Sequence, residues 1–274
     1  MKSDVQASTW LATYAPPSTA RFNAWAPGAA LDDKDILNLQ NLCAFEVVKD
    51  YKPSSTASPS SSYAPAPLTN AFCSLFDATE WAGYEYWGDL SKYYGTSYGQ
   101  EIGLGAVQGV GYVNELLTRL TGDVKYVVND HTQVNHTLDD SAHPSSTTFP
   151  LSRSLYADFS HDNQMVAIYA TMGLFDSPQP LNPTSPDSKR VWVTSKLVPF
   201  AGRMVVEKMQ CSADSNHEGG EFVRVLVDDV VMPLRNCEGV SENGLCSLSA
   251  FVQSQSYATG AGQEDWLRCF PRDV

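Results

Sequence analysis

The sequence predicts an α/β protein, and three observations lead there. Apolar residues recur at three- and four-residue spacing through much of the first half, whereas after residue 150 short β-type apolar runs alternate with helical stripes. A chain of 274 residues with 43% hydrophobic and 18% charged content is also long enough to bury a real core. The first half therefore reads as mostly helical and the second half as mixed α/β.

The elements follow in order. Residues 1 to 50 read as helices and turns, with "STWLATYA", a Pro-Gly break at 27 and 28, and then "LDDKDILNLQNLCAFEVV". In that last stretch Ile36, Leu39, Leu42 and Cys43 repeat at helical spacing behind an Asp-rich start. The run "PSSTASPSSSYAPAP", 53–67, is too rich in Pro, Ser and Ala to build a core and reads as a flexible loop. "SLFDATEWAGYEYWGDLSKYY" is a second helical stretch whose aromatics suit packing between helices. In "GLGAVQGVGYVNELLTRLTG", Val110, Val113, Leu117 and Leu120 form one apolar stripe that Gly122 terminates. Residues 123 to 150 are polar and irregular. "SLYADF" is strand-like, and Met165, Ile168, Tyr169 and Met172 then make a helical stripe ending near Gly173. "RMVVEKMQC", "FVRVLV" and "VVMPL" read as strands, the last two as a hairpin across Asp228-Asp229, and "SLSAFVQSQSYA" closes as a helix. There is no internal repeat.

Charge and cysteine usage narrow the function classes. A net charge of −13 argues against a nucleic-acid binder or a polybasic membrane-surface protein, since either needs a Lys/Arg-rich face. No apolar run approaches the ~20 residues of a membrane span, and "MKSDVQASTW" lacks the apolar core of a signal peptide. The six cysteines include no C-x-x-C pair, so neither a zinc nor a thioredoxin signature is present. Cys237 and Cys246 bracket a short loop and Cys43 and Cys73 a long one, and each pair reads as a disulfide, worth ~2 to 4 kcal/mol. With the glycosylation sequon at Asn135, they point to a secreted protein whose beginning is missing from this chain.

Four constellations could carry chemistry. "GTSYG", residues 95–99, has the G-x-S-x-G spacing of a nucleophile elbow, but a helical stretch precedes Ser97 where that elbow needs a strand, so a surface turn is the better reading. The glycines at 103, 105, 109 and 111 do not fit G-x-G-x-x-G and suit close helix packing instead. His131, His136 and His143 stand near Asp139 and Asp140 without the spacing of a helical ligand pair, so this is a solvated loop and no metal site is expected. His161-Asp162 is different. Ser160 could cap the helix that follows, and Asp162 suits its positive end. Equally, a strand feeding a helix N-terminus is where α/β proteins bind anions, and a positioned Asp can protonate a departing alkoxide. These residues alone leave both readings open.

The segments "NLCAFEVV", "FCSLFDATEW", "KYYG", "QGVGYVNELLTRLT", "NHTLD", "TFPLSRSLYADFSHDN", "VPFAGRMVVEKMQC", "VRVLVDDVVMPLRNC" and "GQEDWLRCF" resemble, in order and along nearly the whole chain, the fungal phytases of the histidine acid phosphatase family. The resemblance implies a phosphoglycerate mutase-like, or histidine phosphatase, fold. Here that means part of a central, mainly parallel sheet flanked by helices, plus a helical subdomain. Residues 1–105 would be the subdomain with its loop at 53–67, and 106–274 the C-terminal part of the α/β domain. It further implies hydrolysis of phosphomonoesters, with inositol hexakisphosphate as substrate, through a phosphorylated histidine and without cofactor. The intact protein would be a secreted monomer. By position His161 would bind phosphate, Asp162 would be the general acid and Asn163 a substrate-side neighbour. The family's pairings match Cys43-Cys73 and Cys237-Cys246, leaving Cys211 and Cys269 without partners. The family's nucleophile lies in R-H-G-x-R-x-P, and no histidine of this chain, at 131, 136, 143, 161 or 217, stands between Arg and Gly. The expectation is an N-terminally truncated chain that is inactive alone. The alternatives are a non-catalytic phosphate- or protein-binding remnant of the family and, from another class, a serine hydrolase using Ser97.

Overall fold

Helical spacing of apolar residues becomes helical packing over the first 130 residues of the computed structural model, which describes residues 2–50, 70–100, 104–132, 149–213 and 219–270. Helix α1, Lys2–Tyr14, lies along α4, Ala78–Thr96, so closely that a Cβ on Gly83 would come within 2.4 Å of the Tyr14 ring. The Trp10 indole donates to the Gly83 carbonyl at 2.7 Å and meets Tyr86 edge-on. Helices α2, Pro16–Trp25, and α3, Asp33–Asp50, close a small core of Ala15, Phe22, Ile36 and Phe76. Proline in its first turn suits α2, while Asp33 and Asp35 in the first turn and Lys49 in the last match the dipole of α3. Asp77 caps α4 in a reciprocal box with Glu80, whose carboxylate also takes Arg21 of α2 at 2.5 and 2.7 Å. The disulfide Cys43–Cys73 joins α3 to the 3₁₀ turn Cys73–Leu75. The Pro/Ser-rich stretch 53–67 lies outside the described residues.

The main core is built on α6, Val110–Thr121, which follows the short α5, Leu104–Val107. Val110, Val113, Leu117 and Leu120 are buried as their spacing predicts, and Gly122 ends the helix in the left-handed conformation, φ 76°. Gly109 lets the start of α6 touch the backbone of α8, Asp162–Thr171, where a Cβ would lie 2.7 Å from the Ile168 Cα. After α6 come α7, Lys125–Val128, and, beyond α8, α9, Thr194–Leu197. Tyr86 and Leu90 of α4, Tyr169 of α8 and Trp192 complete this core against one face of a sheet.

That sheet departs from the expected mainly parallel arrangement. Strands β1, Met204–Cys211, and β2, Gly220–Val227, pair antiparallel from Met204↔Val227 to Cys211↔Gly220, and β3, Val230–Val231, and β4, Cys246–Ser247, both pair antiparallel with β2. The reason is connection length. Parallel neighbours need a crossover of a dozen or more residues, whereas β1 and β2 are joined by only the stretch 212–219. Between β2 and β3, Asp228 and Asp229 both take positive φ, 48° and 67°, the geometry a two-residue hairpin requires, so that hairpin is as read. The second disulfide, Cys237–Cys246, pins β4, and Ser247 caps α10, Leu248–Ser254, by accepting from the Ala250 amide. A π-turn at Tyr257–Ala261 and α11, Gly262–Leu267, end the described chain, and Cys211 and Cys269 carry free thiols.

"SLYADF" is the second departure. Residues 155–160 run without helix or strand pairing, and Phe159 is 99% and Leu155 81% exposed. Its alternation is strand-like, but a strand exists only against a partner, and none of the described residues provides one.

Candidate functional site

The exposed run 155–160 delivers the chain to His161, which is itself the N-cap of α8 with extended backbone, φ −129°, ψ 160°. The expected Ser160 cap does not form; no side chain caps this helix, and the His161 carbonyl instead accepts from the Met165 amide at 2.9 Å. His161, Asp162 and Asn163 therefore stand exposed together at the positive end of α8, next to solvent.

Asp162 is held from two sides. Its Oδ1 accepts the Asn163 backbone N–H at 2.8 Å, and its Oδ2 accepts from the Lys92 ammonium at 2.5 Å. Lys92, near the end of α4, also donates to Asn163 Oδ1 at 2.5 Å. Partial burial by itself would raise the Asp162 carboxyl; the Lys92 hydrogen bond and charge, the Asn163 amide and the neighbouring His161 outweigh it and hold the group below the usual carboxylate range. Sequence reasoning missed Lys92. The only available signal was a basic residue inside an aromatic helix of an acidic chain, and nothing local connects it to a residue seventy positions on.

A cavity of about 880 Å³ opens beside the dyad, between residues 158–162, the side of α8 and the segment 198–204. Tyr112 and Tyr169 line it, together with Phe159, Phe200 and Arg203. The Tyr169 hydroxyl is buried without a hydrogen-bond partner, and burial followed by the nearby Asp228 carboxylate pushes it well above the ordinary phenol range. The nearby guanidiniums are already engaged: Arg119 with Asp158 at 2.6 Å and Glu115 at 3.1 Å, and Arg203 with Asp229.

The other sequence candidates separate from this site. Ser97 caps the C-terminus of α4, is 1% exposed, and its hydroxyl has no hydrogen-bond partner, so it has neither the strand-turn-helix frame nor the base that a nucleophile requires. His131 is exposed, with its amide 3.4 Å from Gln263 Oε1, while Asn135, His136, Asp139, Asp140, His143 and His217 lie outside the described residues. Among the described residues no group of three His, Cys, Asp or Glu side chains could hold a metal, and no helix is long and apolar enough to cross a membrane. Both disulfides read from the sequence are formed.

Comparison with known proteins puts this geometry in context. The sequence profile described as "Histidine phosphatase superfamily (branch 2)" matches residues 2–228. The chain is 42% identical over 270 residues to a phytase A of Aspergillus terreus, covering 97% of this chain and 52% of that protein. It is 38% identical over 262 residues to phytase A of Aspergillus oryzae, covering 94% and 50%. The crystal structure of the phytase from D. castellii superimposes with a TM-score of 0.61 at 20% identity, over 89% of this chain and 42% of that one, a likeness of fold. The chain thus spans about half the length of the curated relatives it matches.

Proposed function

Because the chain belongs to the histidine phosphatase superfamily (branch 2), we propose that it carries the leaving-group half of a phytase-type phosphomonoesterase site, with inositol hexakisphosphate as substrate. One observation carries the reading: His161, Asp162 and Asn163 stand together and exposed at the start of α8, in a chain 42% identical to a phytase. His161 hydrogen-bonds an oxygen of the scissile phosphate, aided by the free N–H groups of the uncapped helix end. Asp162 delivers a proton to the ester oxygen as the P–O bond breaks, because an alkoxide is too basic to depart unprotonated near neutrality. Asn163 faces the alcohol. The reaction takes no cofactor.

The phosphorus must meanwhile be attacked by a nucleophile, and general acid assistance without one gives little rate. No histidine in these 274 residues lies between Arg and Gly, the setting of the family's nucleophile. The chain by itself is therefore a phosphate-ester binder with negligible turnover, and the non-catalytic remnant is the second reading that this observation favours. Two disulfides and the Asn135 sequon support a secreted protein, and the net charge of −13 speaks against nucleic-acid and anionic-membrane partners. The intact enzyme is proposed to act as a monomer. The assignment of 1–105 to a helical part and 106–274 to an α/β part goes with the same reading, since it sets Lys92 and Asp162 on opposite sides of the site.

Purified chain assayed at acid pH with p-nitrophenyl phosphate and with inositol hexakisphosphate tests this. No hydrolysis above background is expected, with hexakisphosphate perturbing His161 and Asn163. Robust turnover that Asp162→Asn abolishes would overturn the inactivity, and labelling of Ser97 by an organophosphonate would reopen the hydrolase reading.

A further inference from the structure

A general acid must carry a proton, yet both oxygens of Asp162 are already occupied as acceptors. Oδ1 is bound by the Asn163 backbone amide inside the first turn of α8, and Oδ2 by the ammonium of Lys92. The Asn163 contact is part of the helix start and cannot leave without fraying it. The Lys92 contact can. It comes from a different helix at the end of a four-carbon stem, with Lys92 and Asp162 side chains 23% and 52% exposed, and it is the contact that opposes protonation by charge as well as by occupancy. The charged groups facing Asp162 are Lys92 from α4 and His161 at the start of its own helix; Arg119 and Arg203 around the same cavity are each engaged with other carboxylates.

We propose that Lys92 is a ligand-released lock on Asp162: in the free chain its ammonium occupies the oxygen that must take the proton, and a second phosphate on the same ligand draws it away. The inference rests on the phosphate-ester reading of the site and adds to it a role for a residue on another helix. A phosphate dianion outcompetes a single carboxylate for an ammonium at equal distance, because it carries about twice the charge. Once Lys92 has turned to it, Asp162 loses its cation and gains an anionic neighbour, and both changes favour uptake of a proton from solvent. One phosphate cannot occupy the cleavage position at His161 and also hold Lys92, so the lock opens for polyphosphorylated esters and stays shut for simple monophosphates. Lys92 is thus a positioning residue, acting on the reaction through the protonation of Asp162.

The test follows the Asp162 carboxyl carbon by NMR titration of the full chain, assigned with Asp162→Asn. Lys92→Met should move the titration midpoint up by about 1 to 3 pH units, the usual effect of one close opposite charge, and Lys92→Arg should leave it near the wild-type value. Saturating inositol hexakisphosphate should raise the wild-type midpoint in the same direction, and inorganic phosphate should not. An unmoved midpoint in Lys92→Met, or an equal rise with inorganic phosphate, would overturn the lock. Hexakisphosphate that perturbs His161 and Asn163 but leaves the Asp162 midpoint in place would overturn the lock and spare the functional reading. Hexakisphosphate that perturbs none of them would remove both.

Discussion

Asp89 shows how single residues tie the two halves of the chain together. It is fully buried on α4, with Arg190 Nε at 2.7 Å and the Thr194 amide at 2.6 Å from its oxygens. Burial pushes its carboxyl above the ordinary range despite those partners, so folding favours the protonated form; what this group contributes is fullest below the unfolded pKa and fades as pH rises through the folded one. Arg190→Met should therefore cost about 3 to 5 kcal/mol at neutral pH, where a buried carboxylate loses its partner, and less in mildly acid buffer; urea unfolding at the two pH values measures it. Asp162 runs the other way: held low, it contributes stability above its unfolded pKa that is lost as pH falls through the folded one. Residue-level chemistry was unevenly legible. The His161-Asp162 pair could be read because two rare residue types stand adjacent, whereas Lys92 and Arg190 find their carboxylates across 70 and 101 residues, and no local pattern reports such distances.

At the scale of elements, legibility followed the range of the interactions. The α6 stripe and its Gly122 stop were readable because helical periodicity and a left-handed cap are properties of a dozen consecutive residues. Gly122→Ala should cost about 1 to 2 kcal/mol, visible as a lower Tm, since φ of 76° brings a Cβ against its own carbonyl while the space around it is open. The Asp228-Asp229 hairpin was readable for the same local reason. Residues 155–160 were not, because alternation reports only the wish for a strand, and pairing is decided by segments far away in sequence. The missing Ser160 cap follows from this too: with no neighbouring strand to define where the extended run ends, it continues one residue further and makes His161 the helix boundary.

The whole molecule joins a well-buried core to an unfinished face. Phe159 and Leu155 on the extended run and Phe200 across the cavity, 88% exposed, present apolar side chains beside unpaired backbone, the combination that invites strand-to-strand association. The chain should self-associate with rising concentration, and Phe159→Ser with Phe200→Ser should shift it towards monomer in light scattering while leaving the far-ultraviolet dichroism unchanged. The opposite end of the molecule has a different vulnerability. The Cys43–Cys73 bridge encloses the whole of 44–72 in a covalent ring, so a backbone cut anywhere within it changes the number of chains without changing the number of molecules. Such a nick would pass unnoticed by intact mass in oxidising solution save for one added water, and only after reduction would the protein separate into two pieces.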